Sequence, residues 1–254
     1  MSRLLGLAIN TFREAVRDRV LYSILFFGVG VIFLSLALEE LTIGDQAKVV
    51  RSIGQGAIDS FGSLIAMFLG VSLVWKELDK KTIYTILSKP IPRWMFVIGK
   101  YLGLLLTLLV EVTILMVIYC ALMVTVQTFP PTVVFVSMGM LMLELMMLTA
   151  WATLFSCYSA PMTASAFTIA IFCIGHLADD FQMYGNQSDS EMIRQVVGII
   201  YWILPNFEVF NIREMAVHEH PIPWDRVGPA VLYGLSYTAA VLSAAVAIFQ
   251  RRDL

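Results

Sequence analysis

Six stretches of the chain stay apolar long enough to cross a bilayer as helices: residues 20–38, 58–75, 96–126, 132–155, 162–178 and 227–249. A hydrocarbon core of ~30 Å takes about 20 helical residues. The second stretch is the shortest. The third is too long for one straight crossing, so its start is expected to project beyond the membrane. Residues 196–204 are apolar but too few to cross, and fit an interfacial or re-entrant piece. Two further segments alternate at helical period. In residues 3–19, Leu4, Leu5, Ala8, Phe12, Ala15 and Val16 take one face while Arg13, Glu14, Arg17 and Asp18 take the other. Such a helix lies in the interface; the plainer reading is an extension of the first span. In residues 77–88, Leu78, Ile83, Ile86 and Leu87 oppose Glu77, Asp79, Lys80 and Lys81, and Pro90 and Pro92 end the pattern. This second helix is either a rigid lever between two spans or a solvated connector.

Composition agrees with a membrane chain. Hydrophobic residues make up 59% and charged residues 14% of 254 residues, against a soluble norm of ~45–50% and ~25%. Mean hydropathy is +0.80. A net charge of −2 gives no basic excess for nucleic acid. Cys120, Cys157 and Cys173 lie in or beside apolar stretches, with neither a disulfide framework nor metal-site spacing. The first apolar stretch is followed by Glu39 and Glu40 rather than a small-residue cleavage site, and is read as a retained span.

Charge placement adds a direction. Twelve of the 17 Lys and Arg residues fall in the N-terminal segment (Arg3, Arg13, Arg17, Arg19), around the connection between the second and third stretches (Lys76, Lys80, Lys81, Lys89, Arg93, Lys100), or at Arg251 and Arg252. Lys48, Arg51, Arg194, Arg213 and Arg226 fall on the other side. The positive-inside rule then puts both termini in the cytoplasm. Residues 179–226, the longest connection, carry eight acids and are expected outside. Their aromatic residues Trp202, Phe207 and Phe210 suit a membrane interface. The chain reads as one membrane domain, 1–254, with an interfacial helix (1–19), a cytoplasmic loop (76–94) and an external segment (179–226).

Candidate chemistry is sparse. No G-x-x-x-x-G-K-[ST] or strand-bound G-x-G-x-x-G is present, so any ATPase is a partner chain. Glu111 and Glu144 fall near the middle of the third and fourth stretches, at similar depth. Burying such a charge costs ~2.5–3.5 kcal/mol on insertion scales. With no Lys or Arg at that depth, no intrachain ion pair is expected, and desolvation should keep at least one acid protonated. The two acids either line a path or subunit contact, or are neutral carboxyls bonded to Thr113, Thr149 or backbone. His218 and His220, with Glu219 between them and His176 upstream, lack the second ligand pair of a metal site and read as polar loop residues. Asp179 and Asp180 read as a membrane boundary. Met138, Met140, Met142, Met146 and Met147 crowd the fourth stretch, as lipid- or bundle-facing filler or as an adaptable contact face.

The polar segments resemble those of ABC-2-type transporter permeases. Glu77, Thr82, Leu87-Ser88-Lys89-Pro90, Arg93 and Gly99-Lys100 are similar to that family's first cytoplasmic loop and the start of the span after it. Thr11-Phe-Arg-Glu-Ala-Val-Arg-Asp-Arg-Val-Leu21 is similar to its elbow helix. Leu154-Phe-Ser-Cys-Tyr-Ser-Ala160 is similar to its second cytoplasmic turn. Leu204-Pro-Asn-Phe-Glu-Val-Phe-Asn211 is similar to a Pro-Asn motif found before the last span in permeases of the nitrous-oxide-maturation and gliding-motility branch. The resemblance implies an all-α fold of six spans with both termini inside, an elbow helix, a coupling helix and short external helices before the last span. It implies an exporter subunit in a bacterial inner membrane, paired with a second copy and possessing no cofactor of its own. Two separate ATPase chains would bind ATP and Mg and grip Glu77, Lys80, Lys81, Thr82, Ile83, Thr85, Ile86 and Leu87; a periplasmic accessory protein is a further implied partner. Lipids, lipid-linked polysaccharides, peptides and drugs are substrates in the family, and some members do mechanical work. The alternatives are an anchor or scaffold without transport, or an intramembrane enzyme built on Glu111 with Glu144 or on His176.

Overall fold

The computed structural model describes residues 2–40, 46–79, 92–126, 131–187, 190–218 and 220–251, and side chains within them except at a few helix ends. Among these residues all regular structure is helical. Helix α1 spans Ser2–Val16, α2 Arg19–Glu40, α3 Gln46–Asp79, α4 Arg93–Thr125, α5 Thr132–Tyr158, α6 Pro161–His176, α7 Ala178–Gln187, α8 Glu191–Ile203, α9 Arg213–Val217 and α10 Trp224–Arg251, with a 3₁₀ turn at Glu208–Phe210. Residues 80–91, which hold the candidate coupling residues from Lys80 to Leu87, lie outside the described residues, as does the side chain of Glu77.

Five helices are long and apolar enough to cross a membrane: Arg19–Leu38, Ala47–Val71, Arg93–Thr125, Thr132–Tyr158 and Trp224–Arg251. The fifth expected span is broken, with α6 and α7 meeting at 55°. At 16 residues, α6 is about 24 Å long, short of the hydrocarbon core. The second span differs most from its expected form. Its helix starts twelve residues before Ile58 and carries Arg51, Gln55 and Asp59. These polar side chains, with Gly54 and Gly56 beside them, pull local hydropathy down although the helix is continuous. They recur every fourth residue, which stacks them along one face.

The core lies where α5 meets α3 and α10. Helix α5 is the most enclosed span, with Leu145, Met147, Leu148, Ala150 and Ala152 fully buried. The Ser156 hydroxyl, 2.8 Å from the Ala152 carbonyl of its own helix, also lies 3.2 Å from the Gly70 carbonyl of α3. Of the five crowded methionines, Met138, Met140 and Met147 are buried in the bundle. Phe96 of α4 stacks on Phe249 of α10, ring centroids 5.5 Å apart.

Helix α1 lies against α4. Thr11 and Ala15 are fully buried there, while Leu5 and Ile9 remain open. The close approach requires Gly103, where an added Cβ would come within 2.5 Å of Thr11 Cβ and 2.6 Å of the Ala8 carbonyl. One turn earlier, Lys100 is 1% exposed and its Nζ reaches Glu14 Oε2 at 3.3 Å. The Gly99-Lys100 pair therefore forms part of the seat of the N-terminal helix.

Candidate functional site

A cavity of about 250 Å³ opens between α3, α5, α6 and the segment leading into α9. Asp59, Ser60 and Ser63 come from α3, Ser137, Leu141 and Glu144 from α5, Phe172 and His176 from α6, and Phe210 through Arg213 from the last segment. Four titratable side chains thus meet at one space, three of them on helices that cross or enter the membrane. Insertion costs of ~2.5–3.5 kcal/mol per central charge make such a grouping a functional candidate rather than packing material.

The broken helix shapes this space. Because α6 ends at His176, its last carbonyls lack helical partners. The Gly175 carbonyl is taken by the backbone N–H of Phe207 at 3.0 Å. A Cβ at Gly175 would lie 2.3 Å from the Phe207 ring, so only glycine admits the Pro205-Asn206-Phe207 turn here. Asn206 secures the turn: its Nδ2 donates to Asp179 Oδ1 at 2.6 Å and to the Tyr201 hydroxyl at 3.1 Å. Its backbone N–H donates to the Tyr233 hydroxyl at 3.0 Å. Asp179 is therefore a structural tie as well as a helix-start acid. Phe207 and Phe210, expected at an interface, are 0% and 2% exposed and pack within the bundle; the side chain of Trp202 lies outside those described.

The charges are held at specific distances. His176 Nδ1 faces the Phe172 carbonyl at 3.0 Å, and Nε2 faces Glu144 Oε1 at 3.4 Å. A carbonyl only accepts, so Nδ1 carries a hydrogen. Nε2 is then the ring nitrogen that meets the Glu144 carboxyl. Glu144, expected to have no charged partner within the chain, has this one, supplied by a histidine at the break in the fifth span. Arg213 Nη1 stands 3.8 Å from Asp59 Oδ2, and its Nη2 donates to the Ser52 carbonyl at 3.1 Å. The guanidinium lies on α3 where Gly56 leaves room, since a Cβ there would sit 2.8 Å from Nη2. Both charge contacts are longer than the ~2.7–2.9 Å of a well-made charged hydrogen bond.

Glu111 has a different setting. It is 4% exposed, lines none of the described cavity, and neither carboxyl oxygen has a partner among the described residues. The threonines expected to serve it or Glu144 bond their own helices instead, Thr113 to the Leu109 carbonyl and Thr149 to the Leu145 carbonyl. His218 and His220 stack at 5.9 Å, and among the described residues no three His, Cys, Asp or Glu side chains converge as a metal site. Asp59 and Arg213 were not among the residues singled out from sequence. The four-residue recurrence of Arg51, Gln55, Asp59 and Ser63 was the available signal for Asp59. No local signal marks Arg213, which meets Asp59 only through the fold.

Residues 5–185 match the family model described as "ABC-2 family transporter protein". No curated protein matches the chain. The matched residues include Asp59, Glu144 and His176; Arg213 and the Pro-Asn turn lie beyond them.

Proposed function

Because the chain belongs to the ABC-2 transporter family, we propose that it is the permease subunit of an ATP-driven exporter, built as a pair of copies with two separate ATPase chains. The family works with ATPase subunits and is a membrane transport component rather than the catalyst. On this reading ATP and Mg are bound by the partner, and the permease moves substrate across a bacterial inner membrane with both termini inside. The Pro-Asn motif at Pro205-Asn206 favours the nitrous-oxide-maturation and gliding-motility branch, with a periplasmic partner.

The observation that carries the reading is a membrane bundle with this family match and a polar, charge-lined cavity at its spans. A scaffold needs no such cavity, and a substrate path does. The mechanical parts are consistent with drive from one side. Residues 80–91 join α3, which contributes Asp59, to α4, which is clamped to α1 through Lys100 and Glu14. A push on that connection would move both the cavity wall and the N-terminal helix. Glu77, Lys80, Lys81, Thr82, Ile83, Thr85, Ile86 and Leu87 are the proposed grip of the ATPase. The test is co-expression with an ABC ATPase from the same genome, sought first among the neighbouring genes. Replacing residues 82–87 should abolish co-purification and permease-stimulated ATP hydrolysis; unchanged association would count against the assignment.

A further inference from the structure

The charges around the cavity balance, and this limits what it can hold. Arg213 faces Asp59 and His176 faces Glu144, so each acid stands against a basic side chain. A ligand with net charge would bring an uncompensated charge to membrane depth, which is costly. A fully apolar ligand would strip water from four titratable groups without replacing its hydrogen bonds. A zwitterion avoids both costs. Its anion can take Arg213 and its ammonium can take Asp59, replacing one 3.8 Å contact by two close ones while the net charge stays zero.

Three further observations favour a small polar occupant. Asp59 and Arg213 keep 33% and 37% of their side-chain surface open, so their contact does not seal them. Ser63 and Ser137 are only 3% and 7% exposed, yet both line the cavity, and neither hydroxyl has a hydrogen-bond partner among the described residues. Phe172 and Phe210 supply ring surface on two walls, and an ammonium is attracted to an aromatic face. At about 250 Å³, the space suits a group of head-group size, not a polymer.

We propose that this cavity is a binding site for a zwitterion bearing an ammonium and a phosphate, sulfonate or carboxylate, with Arg213 holding the anion and Asp59, aided by Glu144, holding the ammonium. The source is either the head group of a zwitterionic lipid or a free solute. The site is tested on the permease alone, so its failure leaves the ATPase assignment untouched, and the reverse.

The experiment uses the full chain in phosphatidylglycerol nanodiscs, with Cys120, Cys157 and Cys173 replaced by Ser and, as reporter, Ser60→Cys, an exposed position on the cavity wall. The rate at which a neutral maleimide modifies that cysteine is measured with 3-aminopropanesulfonate, propylammonium or propanesulfonate as competitor. A parallel thermal-unfolding titration of the unaltered chain uses the same three probes. The zwitterion should protect and stabilise at about ten-fold lower concentration than either half-molecule, a difference of ~1.4 kcal/mol. Arg213→Gln should transfer the preference to propylammonium, and Asp59→Asn to propanesulfonate. Replacing part of the lipid by phosphatidylethanolamine separates the sources: protection by that lipid alone assigns a head group, and protection by 3-aminopropanesulfonate assigns a solute. Equal effects of the three probes, no effect of zwitterion from either source, or a preference unmoved by both substitutions would overturn the proposal.

Discussion

At the junction of α1 and α4, Lys100 meets Glu14 at 3.3 Å with the ammonium 1% exposed and Phe96 close by. Around the cavity, Asp59 meets Arg213 at 3.8 Å and Glu144 meets His176 at 3.4 Å, each beside open space. Both regions take charge out of bulk water. At the first, small residues let two helices close over the pair, so the charge fixes register and the contact carries the fold. At the second, an interrupted helix holds the walls apart, and the same kind of charge remains free to change partner. What separates a structural charge from a working one here is the volume beside it, set by Gly103 in one place and by the break after His176 in the other.

That contrast can be broken or sharpened by substitution. Gly103→Leu should have the largest effect, since its side chain would occupy the space of Thr11 and the Ala8 carbonyl. Overpacking costs typically 1–3 kcal/mol and sometimes more, so little folded protein should survive detergent size-exclusion chromatography. Next, Glu14→Gln should cost about 1 kcal/mol, discounted because Glu14 is 36% exposed on its side chain. For a domain of this size that lowers the thermal midpoint by ~2–4 °C. Lys100→Met keeps the packing without a buried ammonium and should be milder; a larger loss than for Glu14→Gln would mean that the charge contributes more than register. Ser156→Ala should cost at most about 0.6 kcal/mol, the usual value of a hydrogen bond between membrane helices, because its shortest contact is to Ala152 of its own helix. Smallest of all, Asp59→Asn and Glu144→Gln should leave the midpoint within ~1 °C while altering ligand preference or transport. Should either cavity variant destabilise as much as Glu14→Gln, the contrast between the two regions fails.

Much of the bundle was legible because the bilayer imposes a length and a polarity on each crossing. The stretches beginning at Val20, Thr132 and Val227 needed only that rule. The second span was read short because averaging over a window penalises Arg51, Gln55 and Asp59, although their four-residue step marks a polar face of one long helix. Glu111 and Glu144 were paired on depth alone, and the structure puts only Glu144 at the cavity. Depth is a single coordinate, and rotation about the helix axis, set by packing, supplies the other. The partnership of Asp59 with Arg213 joins residues far apart in the chain and depends on how the last segment folds back. The Pro-Asn turn was visible as a motif, but its role depends on Gly175, which as one glycine among 16 offers no distinguishing local sign.

The bond from Phe207 to the Gly175 carbonyl also bears on biosynthesis. The end of α6 is completed by a peptide group that does not exist when α6 leaves the ribosome. Until Phe207 has been made, the fifth crossing carries an open backbone acceptor next to His176. Its final seating must therefore wait for the chain that follows, so the middle of this protein is finished after much of what flanks it. A nascent chain stopped before Pro205 should hold that helix loosely in the translocon, and the released full chain should hold it fast.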